Sequence, residues 1–264
     1  MCQIKTIATT GGRPDALSLE KARFVGQILN IDVIERKKKS IKHLGEEQQA
    51  HLIVAGKNRF DYYPLGMTEP FFFHPSSAAF RMKRLAKGEV EPFIEMANLH
   101  RGDRLLDCTL GLATDSMIAA EVVGPTGRVV GCEANTNIAF IVQQGLKNYD
   151  FIAENLPLLS AMRSIEVVAQ NAIDYLKQQA DDSFDVVYLD PMFEETIEES
   201  TSFQPLRYAG LHDEVSDDWI REAKRVAKQR VLLKAHYKSP LFKKYGFTRQ
   251  DRPNTKFHFG IILL

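Results

Sequence analysis

From Arg104 to Leu264, short apolar runs alternate with segments of helical spacing, and this alternation fixes the fold class. Arg104–Cys108 is a predicted strand, Asp115–Val123 a helix, Arg128–Glu133 a strand and Thr136–Lys147 a helix. Strand Ile165–Ala169, helix Ala172–Gln179 and the very apolar strand Asp185–Leu189 follow. Helix Asp217–Ala227, strand Arg230–Lys234 and a last strand Phe257–Leu264 complete the pattern. Strands and helices that alternate across short loops predict a mainly parallel α/β sheet covered on both faces.

The first third is a smaller α/β pattern. Ile4–Thr10 is β-branched and ends at Gly11-Gly12, which predicts a strand and a turn. Leu17, Phe24, Val25, Ile28 and Leu29 share one helical face. Ile31–Ile34, His51–Ala55, Phe60–Tyr63 and Pro70–Phe73 are further predicted strands. Ser76-Ser77 offers caps for a helix over Ala78–Lys87, and Pro92 marks a boundary. The expected organisation is a small α/β domain over residues 1–92 and a larger one over 93–264. Residues 1–92 hold fifteen Lys/Arg and ten Asp/Glu, although the whole chain is neutral. Such an asymmetry allows a nucleic-acid partner for the first domain, because local potential does the steering. Arg81, Lys83, Arg84 and Lys87 would form a basic patch on one helix. Arg36–Lys39 with Lys42 could touch phosphate or simply be a solvated loop.

No apolar run approaches the roughly 20 residues of a membrane span, and the N-terminal segment does not resemble a signal peptide. The three cysteines are widely spaced, so a reducing, cytoplasmic setting is expected. No HxH, HExxH or CxxC pair is present, and no metal site is expected.

Open α/β sheets bind ligands beyond the C-terminal ends of their strands. Asp107-Cys108-Thr109-Leu110-Gly111 follows the first strand of the larger pattern. Only Gly111 stands where a dinucleotide fingerprint needs three glycines, and there is no P-loop. An ordinary strand-to-helix turn is the alternative. Glu133 tips the next strand, where a carboxylate can accept hydrogen bonds from both hydroxyls of a ribose; a solvent-facing acid is the alternative. Asn171-Ala172 follows the third strand, where Asn171 could meet an adenine edge or cap a helix. Asp190-Pro191-Met192-Phe193 ends the most apolar strand. An aspartate there, with nearby main-chain carbonyls, could accept the N–H bonds of an exocyclic amine and favour a pyramidal nitrogen. Pro191 stiffens that turn, and Phe193 could stack on a base. Cys108 and Cys132 fit small buried strand-end positions better than nucleophiles.

With these residues in order, the chain resembles the class I S-adenosylmethionine-dependent methyltransferases, whose sheet is Rossmann-like. More narrowly it is similar to the bacterial small-subunit ribosomal RNA guanine-N2 methyltransferases of the RsmJ type and their uncharacterised Gram-positive relatives. Asp107–Asp115, Val129–Ala134, Asn171-Ala172 and Tyr188–Phe193 carry the resemblance, as do Thr9–Pro14, Gly56–Arg59 and Phe72–Ser76. It implies that Thr114, Asp115, Glu133, Ala134, Asn171, Ala172 and Asp190 surround S-adenosylmethionine, and Asp107 and Gly111 in the first turn are expected beside the same cofactor. It also implies that Asp190, Pro191 and Phe193 serve the chemistry, on ribosomal RNA or the small subunit. The family turn is usually Gly-Leu-Gly-Arg-Asp, whereas this chain has Gly111-Leu112-Ala113-Thr114-Asp115, and Asn171 stands where an acidic residue is common. The competing readings are a methyltransferase for a protein carboxylate or a small molecule, and a non-catalytic module that binds S-adenosylmethionine or RNA.

Overall fold

A computed structural model describes residues 4–191, 215–253 and 255–264. Among these residues the chain divides into two compact units. One holds 4–74 and 135–145; the other holds 75–134, 146–191 and the described part of 215–264.

In the first unit, β1 (Thr6–Thr10), β2 (His51–Ala55) and β3 (Phe60–Tyr63) form a sheet in that order. β1 and β2 run parallel, with Thr10 opposite Ala55; β3 turns back antiparallel to β2. Helix α1 (Ala16–Leu29) starts at Asp15, whose side chain accepts from the Ser18 N–H. Ile7, Leu44, Ala50, Leu52 and Val54 form the buried cluster. Leu44 belongs to α2 (Ile41–Gln48), capped by Ser40. That helix escapes the sequence pattern because only Ile41 and Leu44 give it an apolar face. Two expected strands shrink to single bridges, Ala8 with Val33 and Tyr62 with Phe71. Each supplies one pair of ladder bonds before the chain turns away. The first part of α6 (Thr136–Asn148) also belongs here: Asn137 donates to the Thr6 hydroxyl at 3.0 Å, and Phe140 lies edge-on to Phe60. A Cβ on Gly145 would stand 2.1 Å from the Phe73 ring, so this position needs glycine.

The second unit is built on seven strands in the order β6-β5-β4-β7-β8-β10-β9. They are β4 (Arg104–Asp107), β5 (Arg128–Cys132), β6 (Glu166–Val168), β7 (Phe184–Leu189), β8 (Ala227–His236), β9 (Thr248–Gln250) and β10 (Phe257–Leu263). The first five in that order are parallel, and β10 and β9 close the sheet antiparallel. This is the mainly parallel α/β sheet expected from the alternation, and it has the Rossmann-like character that the resemblance implies. Val186–Leu189 are almost wholly buried, as a central parallel strand covered on both faces requires. Helices α3 (Ser76–Ala86), α4 (Pro92–Ala97), α5 (Thr114–Val123) and α7 (Ala172–Lys177) belong to this unit, as do Asp217–Val226 and Leu241–Tyr245. The basic helix α3 is therefore part of the larger unit. Ser76 and Ser77 are its first helical residues, and Pro75 holds the cap position without a side-chain bond. No helix among the described residues is long and apolar enough to cross a membrane.

Candidate functional site

The strand order reverses at β4. The chain steps from β4 outward to β5 and β6, then returns to place β7 on the other side of β4. Such a reversal opens a crevice beyond the C-terminal strand ends, because the flanking connections leave in opposite directions. The turn after β4 and the turn after β7 meet there. The Asp190 N–H donates to Thr109 Oγ1 at 2.7 Å, and the Cys108 N–H to the Tyr188 carbonyl at 2.9 Å.

Asp107 shapes the first turn from within. Its carboxylate accepts from Ser116 Oγ at 2.7 Å, from the Thr109 N–H at 3.0 Å and from Thr109 Oγ1. Burial pushes its carboxyl up to about 7, against those hydrogen bonds, and the charges of Asp115 and Asp190 push the same way. Gly111 has φ 48° and Ala113 φ 59°, both left-handed. Ala113 stands where the family turn carries its second glycine, so the glycine-like backbone is kept without the glycine. Leu110 folds back onto β5, and a Cβ on Gly131 would stand 2.2 Å from it.

Asp115, in the first turn of α5, is the centre of an ion network. Arg81 Nη1 donates to its Oδ1 at 2.6 Å, Tyr188 Oη donates to its Oδ2 at 2.8 Å, and Lys234 Nζ lies 3.6 Å from Oδ2. Burial alone would raise this carboxyl; Lys234 and Arg81 overcome that and hold it at about 2. The other arm of Arg81 pairs with Glu91 at 2.5 Å. Arg81 therefore does not belong to an exposed basic patch, as its spacing from Arg84 and Lys87 predicted. Its guanidinium is largely buried between two carboxylates, and Arg84 pairs with Glu89. The partner acids lie at sequence distances that helical periodicity does not register.

Lys234 is the residue that sequence reasoning missed. Its Nζ donates to Asp190 Oδ2 at 2.6 Å. The signal was a lone cation in the apolar run Val231–Ala235, since a charge inside a central strand needs a partner. Burial raises the Asp190 carboxyl, Lys234 opposes the rise and Asp115 adds to it. Pro191 follows, half-buried. Phe193 and the acidic residues Glu194, Glu195, Glu198 and Glu199 lie outside the described residues.

The remaining predicted residues stand along the same edge in strand order. Glu133 and Ala134 follow β5, both half-buried, and the Glu133 N–H donates to the Val168 carbonyl. Asn171 and Ala172 follow β6, with Ala172 buried. The Asn171 side-chain oxygen caps α7, accepting from the Ile173 N–H at 2.8 Å. The capping alternative thus describes that oxygen. Cys108 and Cys132 are buried and their thiols are pushed up by burial, which leaves little thiolate.

Comparison with known proteins gives the frame for this geometry. The family model of SAM-dependent methyltransferases (SAM_MT) matches residues 72–258, well over half of the chain. The chain belongs to this family. The uncharacterized protein YpiP of Bacillus subtilis (strain 168) is 41% identical over 254 residues, spanning 96% of this chain and 98% of its own length. The ribosomal RNA small subunit methyltransferase J of Nitrosococcus oceani is 27% identical over 191 residues, 69% of this chain and 72% of its own. Among solved structures, the SAM-dependent methyltransferase NGO1261 from Neisseria gonorrhoeae superposes with a TM-score of 0.58 at 16% identity, covering 98% and 96% of the two chains. That last likeness is one of fold. As a member of the family, the protein is a methyltransferase and its cofactor is S-adenosylmethionine. The residues present fit that group. Gly111 turns the chain in the left-handed region just beyond β4, and Glu133 directly follows the neighbouring β5, a carboxylate of the chemistry a ribose diol calls for.

Proposed function

We propose that the protein is an N-methyltransferase acting on the exocyclic amine of guanine in ribosomal RNA of the small subunit. The observation that carries this reading is the placement of Asp190. It directly follows β7 at the topological switch point, and Lys234 holds one of its carboxylate oxygens at 2.6 Å.

Glu133 is assigned to the ribose hydroxyls of the cofactor. The Gly111–Thr114 main chain and Asp115 are assigned to its amino-acid end, Ala134 to the wall beside the ribose, and Asn171 with Ala172 to its adenine. Bound S-adenosylmethionine supplies a methyl group already activated by positively charged sulfur, so a strong base is not required. The protein's task is alignment and exclusion of water. Asp190 accepts an amine N–H and draws the nitrogen lone pair out of conjugation with the base. Lys234 fixes the carboxylate, and Pro191 stiffens the turn so that its carbonyls stay in place. Phe193 is assigned to stacking on the base.

Two further points support this choice of acceptor. A carboxylate acceptor would have to approach the Asp190 carboxylate, whereas an amine donates to it. The Nitrosococcus relative is named as a ribosomal RNA methyltransferase. The test is transfer of labelled methyl to RNA from cells lacking this gene, followed by nucleoside analysis. Label in a methylated guanosine of the small-subunit RNA is the expected result. Label in protein or metabolite alone would replace this reading with its rival.

A further inference from the structure

Three segments of the first unit run parallel and end at one edge. Residues 31–34 lie beside β1, tied by the Ala8 N–H to the Asp32 carbonyl and by the Ile34 N–H to the Ala8 carbonyl, each at 2.8 Å. β2 lies on the other side of β1. The chain therefore goes from β1 to one side and then crosses to the other, a second switch point in this small sheet. β3 starts at the same edge, since Phe60 pairs with Ala55.

Every connection at that edge carries basic residues. Gly11-Gly12-Arg13 follows β1, Arg36-Lys37-Lys38-Lys39 follows the bridged segment, and Lys57-Asn58-Arg59 follows β2. The loops meet: a Cβ on Gly12 would stand 3.7 Å from Arg36 Nη1. Some of this charge is neutralised locally. Lys39 pairs with Glu47, Arg59 with Asp61, and Lys57 lies 4.0 Å from Asp15. Arg13, Lys37 and Lys38 are exposed and form no ion pair among the described residues. Lys37 and Lys38 have φ 48° and 63°, a left-handed turn that favours glycine or asparagine. Nothing in that backbone favours lysine, so the property these positions contribute is charge.

We propose that the C-terminal edge of the small sheet is a docking surface for the phosphodiester backbone of RNA, centred on Arg13, Lys37 and Lys38. This rests on the reading that the methyl acceptor is RNA. On α3, by contrast, Arg81 and Arg84 face carboxylates of their own unit, and only Lys83 and the following Lys87 stay exposed without an ion pair among the described residues. Phosphate contacts of this kind position a nucleic acid without reading its sequence.

The test measures binding of the full chain to a labelled fragment of small-subunit ribosomal RNA across a salt series. In the variant Arg13→Ala, Lys37→Ala, Lys38→Ala, affinity should fall about tenfold or more at low salt. The slope of log affinity against log salt should become shallower by about 2, since each lost single-strand contact removes about 0.7. Affinity for S-adenosylmethionine should not change, which shows the variant is folded. Lys37→Arg with Lys38→Arg should bind RNA like the wild type. Equal affinity and slope for the alanine variant and the wild type would overturn the surface alone. Absence of RNA binding by the wild type at every salt concentration would overturn the surface and the RNA reading together. Asp190→Asn should keep wild-type RNA affinity while losing transfer, so a failure of chemistry is distinguishable from a failure of docking.

Discussion

Lys234 on β8 donates a 2.6 Å hydrogen bond to Asp190, which directly follows β7, and so joins two neighbouring strands. The same ammonium lies 3.6 Å from Asp115, so one cation serves two carboxylates on either side of the switch point. Burial raises the Asp190 carboxyl, and Lys234 is the charge that opposes the rise.

Removing that charge should therefore move the acid limb of the pH–rate profile. With Lys234→Met, the Asp190 carboxyl rises further, and a higher pH is needed before the ionised form predominates. The apparent pKa of the acid limb in kcat should go up, and kcat at neutral pH should drop by about 10- to 100-fold if alignment is lost as well. Lys234→Arg should restore most of the profile. A kcat loss with no shift of the acid limb would mean that Lys234 is merely structural.

Glu133→Ala should weaken S-adenosylmethionine binding by at least tenfold. Two charge-assisted hydrogen bonds to ribose are worth roughly 1.5–3 kcal/mol each at most. Calorimetry on wild type and variant measures this directly, and equal dissociation constants would remove Glu133 from the cofactor site.

Arg81→Leu should destabilise the fold by roughly 3 kcal/mol, because it strips a cation from two largely buried carboxylates, Glu91 and Asp115. Arg84→Leu, at an exposed pair, should cost under about 1 kcal/mol. Urea unfolding distinguishes the two. RNA affinity should survive both changes in folded protein; a large loss specific to Arg81→Leu would return the helix to the substrate surface.

The contrast between Arg81 and Asp190 shows what a sequence can and cannot reveal here. Asp190, Glu133 and the Gly111 turn are legible because strand ends are read from local apolar runs, and the fold carries strand ends to one edge. The antiparallel closure by β9 escapes notice, because Thr248–Gln250 is exposed throughout and has no apolar pattern. Helix α2 escapes because its register with Ile7 and Leu52 is a tertiary matter. Arg81 misleads and Lys234 is passed over for the same reason: the acids that hold them are 34 and 44 residues away along the chain, at Asp115 and Asp190. A charge looks like surface until its partner is placed.

Asp190 is proposed to orient the accepting amine. Asp190 is at the mouth of the sheet rather than in its apolar cluster, so Asp190→Ala should leave the fold intact by circular dichroism. Saturating S-adenosylmethionine keeps any loss of cofactor affinity out of the measured rate. The measurement is single-turnover methylation of hypomethylated small ribosomal subunits or their RNA. The wild type should transfer methyl to guanosine, and Asp190→Ala should be slower by at least about 100-fold, the cost of misplacing a reactant by about 1 Å. Asp190→Asn should also be poor, since a neutral amide is a weaker acceptor. Near-wild-type transfer by Asp190→Ala would contradict the account.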